Sequence, residues 1–464
     1  MLIALASHWL IGVAHGQTFS TLKSFGTNDG THPWAGLTLS GSVLYGTAES
    51  GGCLGSGTVF QVNTDGTGYT VLKNFDAAIE NSSNGTITNT DGGGPRAGLT
   101  LSGTTLYGTT QYGGRSGGGT VFKVNTDSTS YTVLKNFDAA RYSTNTDGGY
   151  PPSGLTLSGT TLYGTTVVGG SSGNGTVFKM NTDGTGYTVL KNFNGTDGAY
   201  PRANLTLSGS TLYGTTESGG SSKDGTVFQV NTDGTGYTVL KHFTGSDGAY
   251  PHAGLTLSGS VLYGTTHYGG SSGNGTVFKV NTDGTGYTVL KHFSAASNPP
   301  TATYTNTDGA WPVAGLTLSG SVLYGTTESG GMGYGTVFQV NTNGTGFMVL
   351  KSFNAAAYNS SNGTITNTDG AYPQAGLTLS GSVLYGTTSF GGSLGFGTVF
   401  KLDLPIRLTI QSLGNAVVLS WTDPAFALQA APAFTGIYTN VPGALSPSTN
   451  PAVGPQGLFR LKRN

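Results

Sequence analysis

The chain has 464 residues, of which 80 are glycine and only 9% are charged, and its formal net charge is −1 at pH 7. It therefore lacks the basic surface that nucleic acids and anionic membranes require, and we expect neither as a partner. The composition favours short strands and tight turns over long surface helices. Cys53 is the single cysteine, which excludes an intrachain disulfide and a thiolate metal cluster.

The N-terminus has the features of an export signal. Residues 2–14 are mostly apolar, and the small residues Ala14 and Gly16 stand where a signal peptidase reads. We predict a signal peptide over residues 1–16, and a secreted or cell-surface protein. No lysine or arginine precedes the apolar stretch, so a plain N-terminal tail is the alternative. No later segment is apolar for long enough to span a bilayer.

The next segment consists of repeats. The motif LYGT recurs at intervals of 50 to 62 residues. One unit, from Asn204 to Phe243, contains four apolar runs (LTLS, TLYGTT, GTVFQV and YTVLKHF) separated by glycine-rich turns. Asp-Gly and Asn-Gly turns suit tight hairpins, so each unit predicts a four-stranded meander, the blade of a β-propeller. The motif tyrosines are Tyr45, Tyr107, Tyr163, Tyr213, Tyr263, Tyr324 and Tyr385.

The two ends of the repeat array complement each other. The seventh unit stops after its third strand, which runs from Gly397 to Lys401, while Thr18 to Phe25 reads like an isolated fourth strand. A closed ring would pair these edges, whereas an open stack of repeats would not need them. We therefore predict an all-β, seven-bladed β-propeller over residues 17–404. A parallel β-helix is the alternative fold.

The repeat resembles a known family. The LYGTT run, Gly219-Gly220, the Gly225-Thr-Val-Phe strand and the Asp197-Gly-Ala-Tyr-Pro201 entry are similar to the choice-of-anchor tandem-repeat GloVer family of exported bacterial proteins. The resemblance implies a propeller of general Kelch-like shape and often a surface-sorting tail, but little about activity. Residues 405–464 lack the repeat and contain five short strand-like runs, so we predict a small C-terminal β-sandwich-like domain there.

Two charged sets repeat once per unit. An aspartate stands four residues before a proline in each d-to-a loop, and we interpret it as a turn-fixing residue, with calcium binding as the alternative. A lysine on each outer strand is interpreted as a charge that blocks aggregation between sheet edges. We predict no metal and no cofactor. The aspartates are Asp29, Asp91, Asp147, Asp197, Asp247, Asp308 and Asp369, and the lysines are Lys23, Lys73, Lys135, Lys191, Lys241, Lys291 and Lys351.

Two positions differ from unit to unit, although the scaffold demands of each blade are the same. We name them the pre-a ring, directly after the loop proline, and the post-b ring, directly after strand b. From them we select Trp34, Arg96, Arg202, His252, Gln374, Glu217 and His267 as candidate ligand-binding residues, with drift at tolerant sites as the alternative explanation. The pre-a ring is Trp34, Arg96, Pro152, Arg202, His252, Val313 and Gln374, and the post-b ring is Glu49, Gln111, Val167, Glu217, His267, Glu328 and Ser389.

No catalytic set emerges from the sequence, and Glu217 with His267 is the one acid–base pair worth testing. We therefore expect a monomeric, non-catalytic binding or structural display protein. Its ligand would be an extracellular glycan or protein, bound on the face formed by the d-to-a and b-to-c loops. The alternative is a carbohydrate-active enzyme, a hydrolase or lyase that uses the same face.

Overall fold

The computed structural model describes residues 10–15, 17–80, 87–139, 144–297, 304–359, 364–413, 416–420, 426–431, 439–440, 448–451 and 458–463. Within these residues the regular secondary structure is entirely β-strand, which confirms the all-β prediction. None of the described residues forms a helix with the length and apolar character of a membrane span.

Seven four-stranded antiparallel sheets form the blades, each with its strands in the spatial order a, b, c, d. The strands of blades 1 to 3 are Thr38–Ser40, Val43–Ala48, Thr58–Asn63 and Thr70–Asn74; Thr100–Ser102, Thr105–Thr110, Gly117–Asn125 and Tyr131–Asp138; and Thr156–Ser158, Thr161–Thr166, Thr176–Asn181 and Thr188–Asn192. Those of blades 4 to 6 are Thr206–Ser208, Thr211–Thr216, Thr226–Asn231 and Thr238–His242; Thr256–Ser258, Val261–Thr266, Thr276–Asn281 and Thr288–His292; and Thr317–Ser319, Val322–Thr327, Thr336–Asn341 and Met348–Ser352. Blade 7 consists of Thr378–Ser380, Val383–Thr388, Thr398–Asp403 and, as strand d, Thr18–Ser24.

The ring closes through the same contacts that join its internal blades. The Thr206 hydroxyl of blade 4 donates to the Leu255 carbonyl of the next blade at 2.5 Å. The Thr378 hydroxyl of blade 7 donates in the same way to Leu37 O, before blade 1, at 2.5 Å. Because every a strand contacts the next one, the a strands form the inner circle of the ring. The predicted seven-bladed propeller is confirmed, and the β-helix alternative is wrong.

The hydrophobic core lies between neighbouring blades. Between blades 3 and 4 the fully buried Phe193 and Phe228 rings meet edge to face, with centroids 5.2 Å apart. A Cβ on Gly214 would lie 2.6 Å from Phe228 Cζ, which explains why glycine follows the motif tyrosine in LYGT. Each repeat therefore completes its core only with its neighbours, as expected of a repeat architecture.

Two of the long d-to-a loops contain a hairpin of their own. Ile79–Glu80 pairs with Ile87–Thr88 before blade 2, and Ala357–Asn359 pairs with Thr364–Thr366 before blade 7. The chain divides into two compact units, Thr21–Thr378 with Gly386–Phe400, and Met1–Ser20 with Leu379–Tyr385 and Lys401–Asn464. The predicted domain boundaries after residues 16 and 404 stay predictions.

In the C-terminal segment each of the five predicted runs contains a strand among its described residues. One sheet has the order Leu10–His15, Ile406–Leu413, Ala416–Ser420 and Ser448–Pro451, and the other has Thr439–Asn440, Phe426–Ala431 and Leu458–Arg463. Ser448–Pro451 is a strand that the sequence did not predict. The same is true of Leu10–His15, which belongs to the predicted signal peptide, while residues 1–9 and 16 of that peptide lie outside the described residues.

Candidate functional site

The d-to-a loop before each blade lies beside the b-to-c loop of that blade. In blade 4, the Ala199 N–H donates to Ser218 O at 2.8 Å and the Ser218 N–H donates back at 3.0 Å. The predicted convergence of these loops is confirmed, and we call the surface that they form the loop face. The equivalent bridges are Thr31 to Ser50, Gly93 to Tyr112, Gly149 to Val168, Ala249 to Tyr268, Ala310 to Ser329 and Ala371 to Phe390.

The residue before each loop proline connects two blades. The Tyr200 N–H donates to Asn174 O in the b-to-c loop of blade 3 at 2.9 Å, and Tyr200 O accepts the Glu217 N–H of blade 4 at 3.1 Å. The same two bonds recur in every blade, and the residue that makes them always has a φ between 54° and 64°. Bulky residues rarely adopt this conformation, at a cost of about 1–3 kcal/mol, so both bonds are needed to hold it. These residues are His32, Gly94, Tyr150, Tyr200, Tyr250, Trp311 and Tyr372.

Sequence reasoning missed this set, which we call the pre-proline ring. The available signal was an aromatic residue or histidine before that proline in six of seven units. The ring also explains why the two variable rings are adjacent. A pre-a residue such as Arg202 is two positions beyond Tyr200, and the post-b residue Glu217 is bonded to the Tyr200 carbonyl.

Four of the predicted residues meet in blades 4 and 5. The Arg202 guanidinium forms an ion pair with Glu217 through Nε and Oε2. The other oxygen, Glu217 Oε1, lies 3.3 Å from His252 Nε2 of the next blade. His252 faces His267, with ring centroids 4.8 Å apart, and His267 Nε2 lies 3.7 Å from Glu328 Oε2 of blade 6. We call these five side chains the polar arc.

The contacts of the polar arc show that one predicted pair of side chains is wrong. Glu217 was matched with His267, but its imidazole neighbour is His252, the pre-a residue of the next blade. His267 faces Glu328 instead. Of the predicted site residues, the arc therefore brings together Arg202, Glu217, His252 and His267.

The charges of the arc are unequal. Burial raises the pKa of Glu217, but the imidazole of His252 and the guanidinium of Arg202 outweigh this effect and lower the pKa to about 2. Burial lowers the pKa of His252 more than the neighbouring Glu217 raises it, so this imidazole is neutral at pH 7. Glu217 and Arg202 thus form a permanent ion pair, with neutral His252 beside it.

Trp34 and Arg96 form a second group, on blades 1 and 2. The Arg96 guanidinium lies 5.3 Å from the centroid of the Trp34 ring and forms an ion pair with Glu49 through Nη2. Gln374 holds the equivalent position in blade 7. The seven predicted residues therefore do not form one patch, since contacts link four of them in the polar arc and two in this second group.

Buried polar atoms without a hydrogen-bond partner concentrate at the variable rings. Among the described residues eight such side-chain atoms occur, and seven belong to pre-a or post-b residues. Two of these atoms still face a carboxylate oxygen, since His252 Nε2 lies 3.3 Å from Glu217 Oε1 and His267 Nε2 lies 3.7 Å from Glu328 Oε2. The seven are Trp34 Nε1, Arg96 Nε, Gln111 Oε1, His252 Nε2, His267 Nδ1, His267 Nε2 and Gln374 Oε1, and the eighth is Asp147 Oδ1.

The repeated lysines and aspartates pair with each other. Lys191 Nζ of blade 3 binds Asp197 Oδ2, and the two side chains are only 18% and 19% exposed. Each of the seven lysines has such a partner in the d-to-a loop that follows it. The interpretation of the lysines as edge charges is therefore wrong. The turn-fixing interpretation of the aspartates agrees with these contacts, since Asp197 Oδ1 also accepts the Asn194 N–H at 3.0 Å.

In the described part of the chain, no three His, Cys, Asp or Glu side chains are grouped to hold a metal ion. The fold and the loop face define the class, a tandem-repeat β-propeller whose repeat units differ in the length of their d-to-a loops and in side chains of the loop face. The chain belongs to the Gloeobacter/Verrucomicrobia repeat family, whose model matches residues 13–146 and 139–304, more than half of its length. The predicted resemblance is confirmed.

No curated protein matches the sequence. Among solved structures, the chain is similar to an oligogalacturonate lyase in complex with manganese at 12% identity and a TM-score of 0.46, covering 86% of this chain and 96% of that one. It is similar to a chain of a nidogen/laminin complex at 16% identity and a TM-score of 0.38, covering 66% and 91%. For TolB from Acinetobacter baumannii the identity is 15%, the TM-score 0.38 and the coverage 64% and 60%. Nothing about ligand or activity follows from likenesses this low.

Proposed function

We propose that this protein is an exported, non-catalytic binding protein that presents the loop face of its propeller to an extracellular glycan or protein. The observation that carries the proposal is the set of contacts among side chains of the variable rings, in which charged and polar groups of neighbouring blades meet on one face. The scaffold is the same in every blade, so it gives no reason for these groups. A cluster of polar side chains on the loop face suits recognition of a polar ligand.

Random drift is the competing explanation for variation at these positions. Drift at tolerant sites would scatter exposed substitutions, whereas the side chains here are half-buried and contact each other across blades. Arg202, Glu217 and His252, for example, come from two blades and share one carboxylate. This mutual arrangement supports selection for a site.

The protonation state of the polar arc supports binding over catalysis. A general acid or base works best when its pKa lies near the operating pH. Glu217, with a pKa of about 2 and a guanidinium partner, is far from that condition at neutral pH. The same ion pair suits a rigid recognition surface.

The binding proposal is tested on the full chain with a glycan array and with extracellular protein extracts of its source. We expect retention of a ligand and its loss in Arg202→Ala or Trp34→Ala. Asp233→Asn is the matched control, because Asp233 lies in a c-to-d turn on the opposite face, where Asn343 of blade 6 makes the same bond. Ligand retained by both loop-face variants would contradict the proposal, and turnover of a bound glycan would contradict its non-catalytic part.

Export is tested separately, by N-terminal sequencing of the protein recovered outside the cell. We expect the mature chain to begin at Gln17. Cleavage there removes Leu10–His15, which otherwise pairs with Ile406–Leu413. A protein that retains residues 10–15 and stays inside the cell would contradict export.

A further inference from the structure

A group of aromatic rings stands beside the polar arc on the loop face. The Trp311 ring lies 4.7 Å from the Tyr304 ring and 6.1 Å from the Tyr268 ring, centroid to centroid, at interplanar angles of 59° and 66°. Tyr268 is 41% exposed and Tyr304 38% exposed, so large aromatic surfaces face solvent. The rings form the walls of a corner, and we call these three residues the aromatic corner.

Polar groups of the arc border this corner. The His267 ring centroid lies 4.0 Å from that of Tyr268 and 6.3 Å from that of Trp311. Both ring nitrogens of His267 are buried and have no hydrogen-bond partner, although at least one of them carries a proton that it can donate. The Glu328 N–H donates to Trp311 O at 3.0 Å, so the backbones of the two residues are directly joined.

The local charge selects against an anion. The Arg202 guanidinium is neutralised by Glu217. Among the described residues no lysine or arginine forms an ion pair with Glu328, and the nearest side chain paired with its carboxylate is the His267 imidazole, at 3.7 Å. A carboxylated or sulfated ligand would approach a net negative surface here, whereas a neutral one would meet no such penalty.

Blades 5 and 6 are also where the chain departs from its own repeat. Trp311 is the one tryptophan in the pre-proline ring, and four of the other six residues there are tyrosine. Tyr304 comes from the long loop between blades 5 and 6, a segment that the shorter d-to-a loops lack. Because the backbone bonds of the ring are the same in every blade, the scaffold does not require these aromatic side chains.

We propose that the aromatic corner, together with His267 and Glu328, binds a sugar ring of a neutral glycan. One apolar face of the sugar would stack on Trp311 or Tyr268, and its hydroxyls would donate hydrogen bonds to the Glu328 carboxylate. Partly exposed aromatic rings beside a few convergent polar groups suit a ligand with an apolar face and a polar edge. This inference rests on the binding role proposed above and gives it a ligand class and a location.

The probes are neutral gluco-, manno- and galacto-oligosaccharides, with polygalacturonate and hyaluronate as anionic counterparts, titrated calorimetrically into the full chain. We expect binding of a neutral oligosaccharide, and an affinity lower by about tenfold or more in Trp311→Ala and Tyr268→Ala. Glu328→Gln should weaken it by several-fold. Tyr372→Ala is the matched control, because Tyr372 has the same backbone conformation and bonds in blade 7, with a φ of 57°.

A second variant distinguishes loss of binding from loss of folding. Trp311→Phe keeps an aromatic wall and should retain binding to within about threefold, while it removes the change in tryptophan fluorescence that we expect on titration with sugar. If Trp311→Ala and Tyr372→Ala weaken glycan binding equally, or if only anionic glycans bind, the inference is overturned while the proposed binding role stands. If the loop face retains a protein and no glycan, the ligand class is wrong and the binding role again survives. If no ligand depends on this face, the proposed function itself fails.

Discussion

The hydroxyl of Tyr237 in blade 4 donates a 2.6 Å hydrogen bond to the backbone carbonyl of Asp197, in the loop that enters the same blade. Lys191 of blade 3 pairs with the Asp197 carboxylate, and its Nζ lies 4.0 Å from the centroid of the Tyr237 ring. Burial, reinforced by the Asp197 charge, raises the pKa of Tyr237, so its hydroxyl stays a donor. These three residues join one blade to the next, and the tyrosine bond recurs in blades 1 to 5.

Blade 6 tests the value of this hydroxyl, because it has Phe347 in place of the tyrosine. The Phe347 ring still lies under Lys291, with Nζ 4.4 Å from its centroid. We expect Phe347→Tyr to gain the missing bond to Asp308 O and to raise the free energy of unfolding by about 1 kcal/mol. Tyr237→Phe should lower it by a similar amount. Urea unfolding midpoints measure both, and a destabilised Phe347→Tyr would show that the carbonyl is out of reach.

The ion pair of Lys191 with Asp197 should matter more than a surface pair. Asp197→Asn leaves the half-buried ammonium without its counter-charge, and we expect a loss of about 2–3 kcal/mol in the free energy of unfolding. In Asp233→Asn the urea midpoint should not change, because Asn343 already accepts the Thr345 N–H at 3.0 Å at the equivalent position. Equal midpoints for the two variants would restore the interpretation of the lysines as surface charges.

The ring was predictable from the sequence because the residues that specify each blade are close together in the chain. Hairpin turns and apolar runs specify the meander, and the match between Thr18–Phe25 and the missing last strand specifies closure. The pairing of Lys with Asp was not predictable in the same way. Six residues separate Lys191 from Asp197, but 17 separate Lys291 from Asp308, so no fixed spacing marks the pair.

Most residues of the site were predicted, but the contacts between them were not. Variation between units identified Arg202, Glu217, His252 and His267, whereas their connection depends on how one blade leans on the next. The positive φ of Trp311 arises from two backbone bonds to different blades, and its one signal in the sequence is the aromatic residue or histidine before the loop proline. The aromatic corner was therefore missed although each of its residues is visible in the sequence.

Glu217 should give the protein a measurable part of its acid sensitivity. Its pKa falls from an ordinary 4.5 to about 2 in the folded chain, so the stability that it contributes is complete above pH 4.5 and is lost as the pH falls toward 2. We expect Glu217→Gln to reduce the difference in unfolding free energy between pH 7 and low pH, by up to about 3 kcal/mol.

Arg202→Met is the companion variant for this pH dependence. Removal of the guanidinium should raise the pKa of Glu217 and shrink the same difference, while it leaves every other carboxylate in place. Titration of unfolding midpoints between pH 7 and pH 2 measures both. Curves that run parallel to that of the parent protein would show that Glu217 is not held ionised by its neighbours.

Phe25 tests whether the contact between blade 7 and blade 1, which we call the seam, stabilises the ring as much as the contacts between its other blades. It follows the closing strand, is fully buried, and meets Phe60 edge to face at 5.1 Å; its N–H donates to Gly397 O at 3.0 Å. Phe137 has the same place in blade 2, with its ring 5.5 Å from that of Phe178. Because both rings are fully buried, we expect Phe25→Ala and Phe137→Ala to cost equally, about 3–5 kcal/mol each.

Deletion of residues 17–25 goes further than Phe25→Ala, because it removes strand d of blade 7 and exposes the edge of Thr398–Asp403. We expect the deletion to abolish the single cooperative unfolding transition, since the core on both sides of the seam opens at once. Calorimetry measures this. A much smaller cost for Phe25→Ala than for Phe137→Ala, together with cooperative unfolding of the deletion variant, would mean that the ring is stable without its seam and that six blades support the fold unaided.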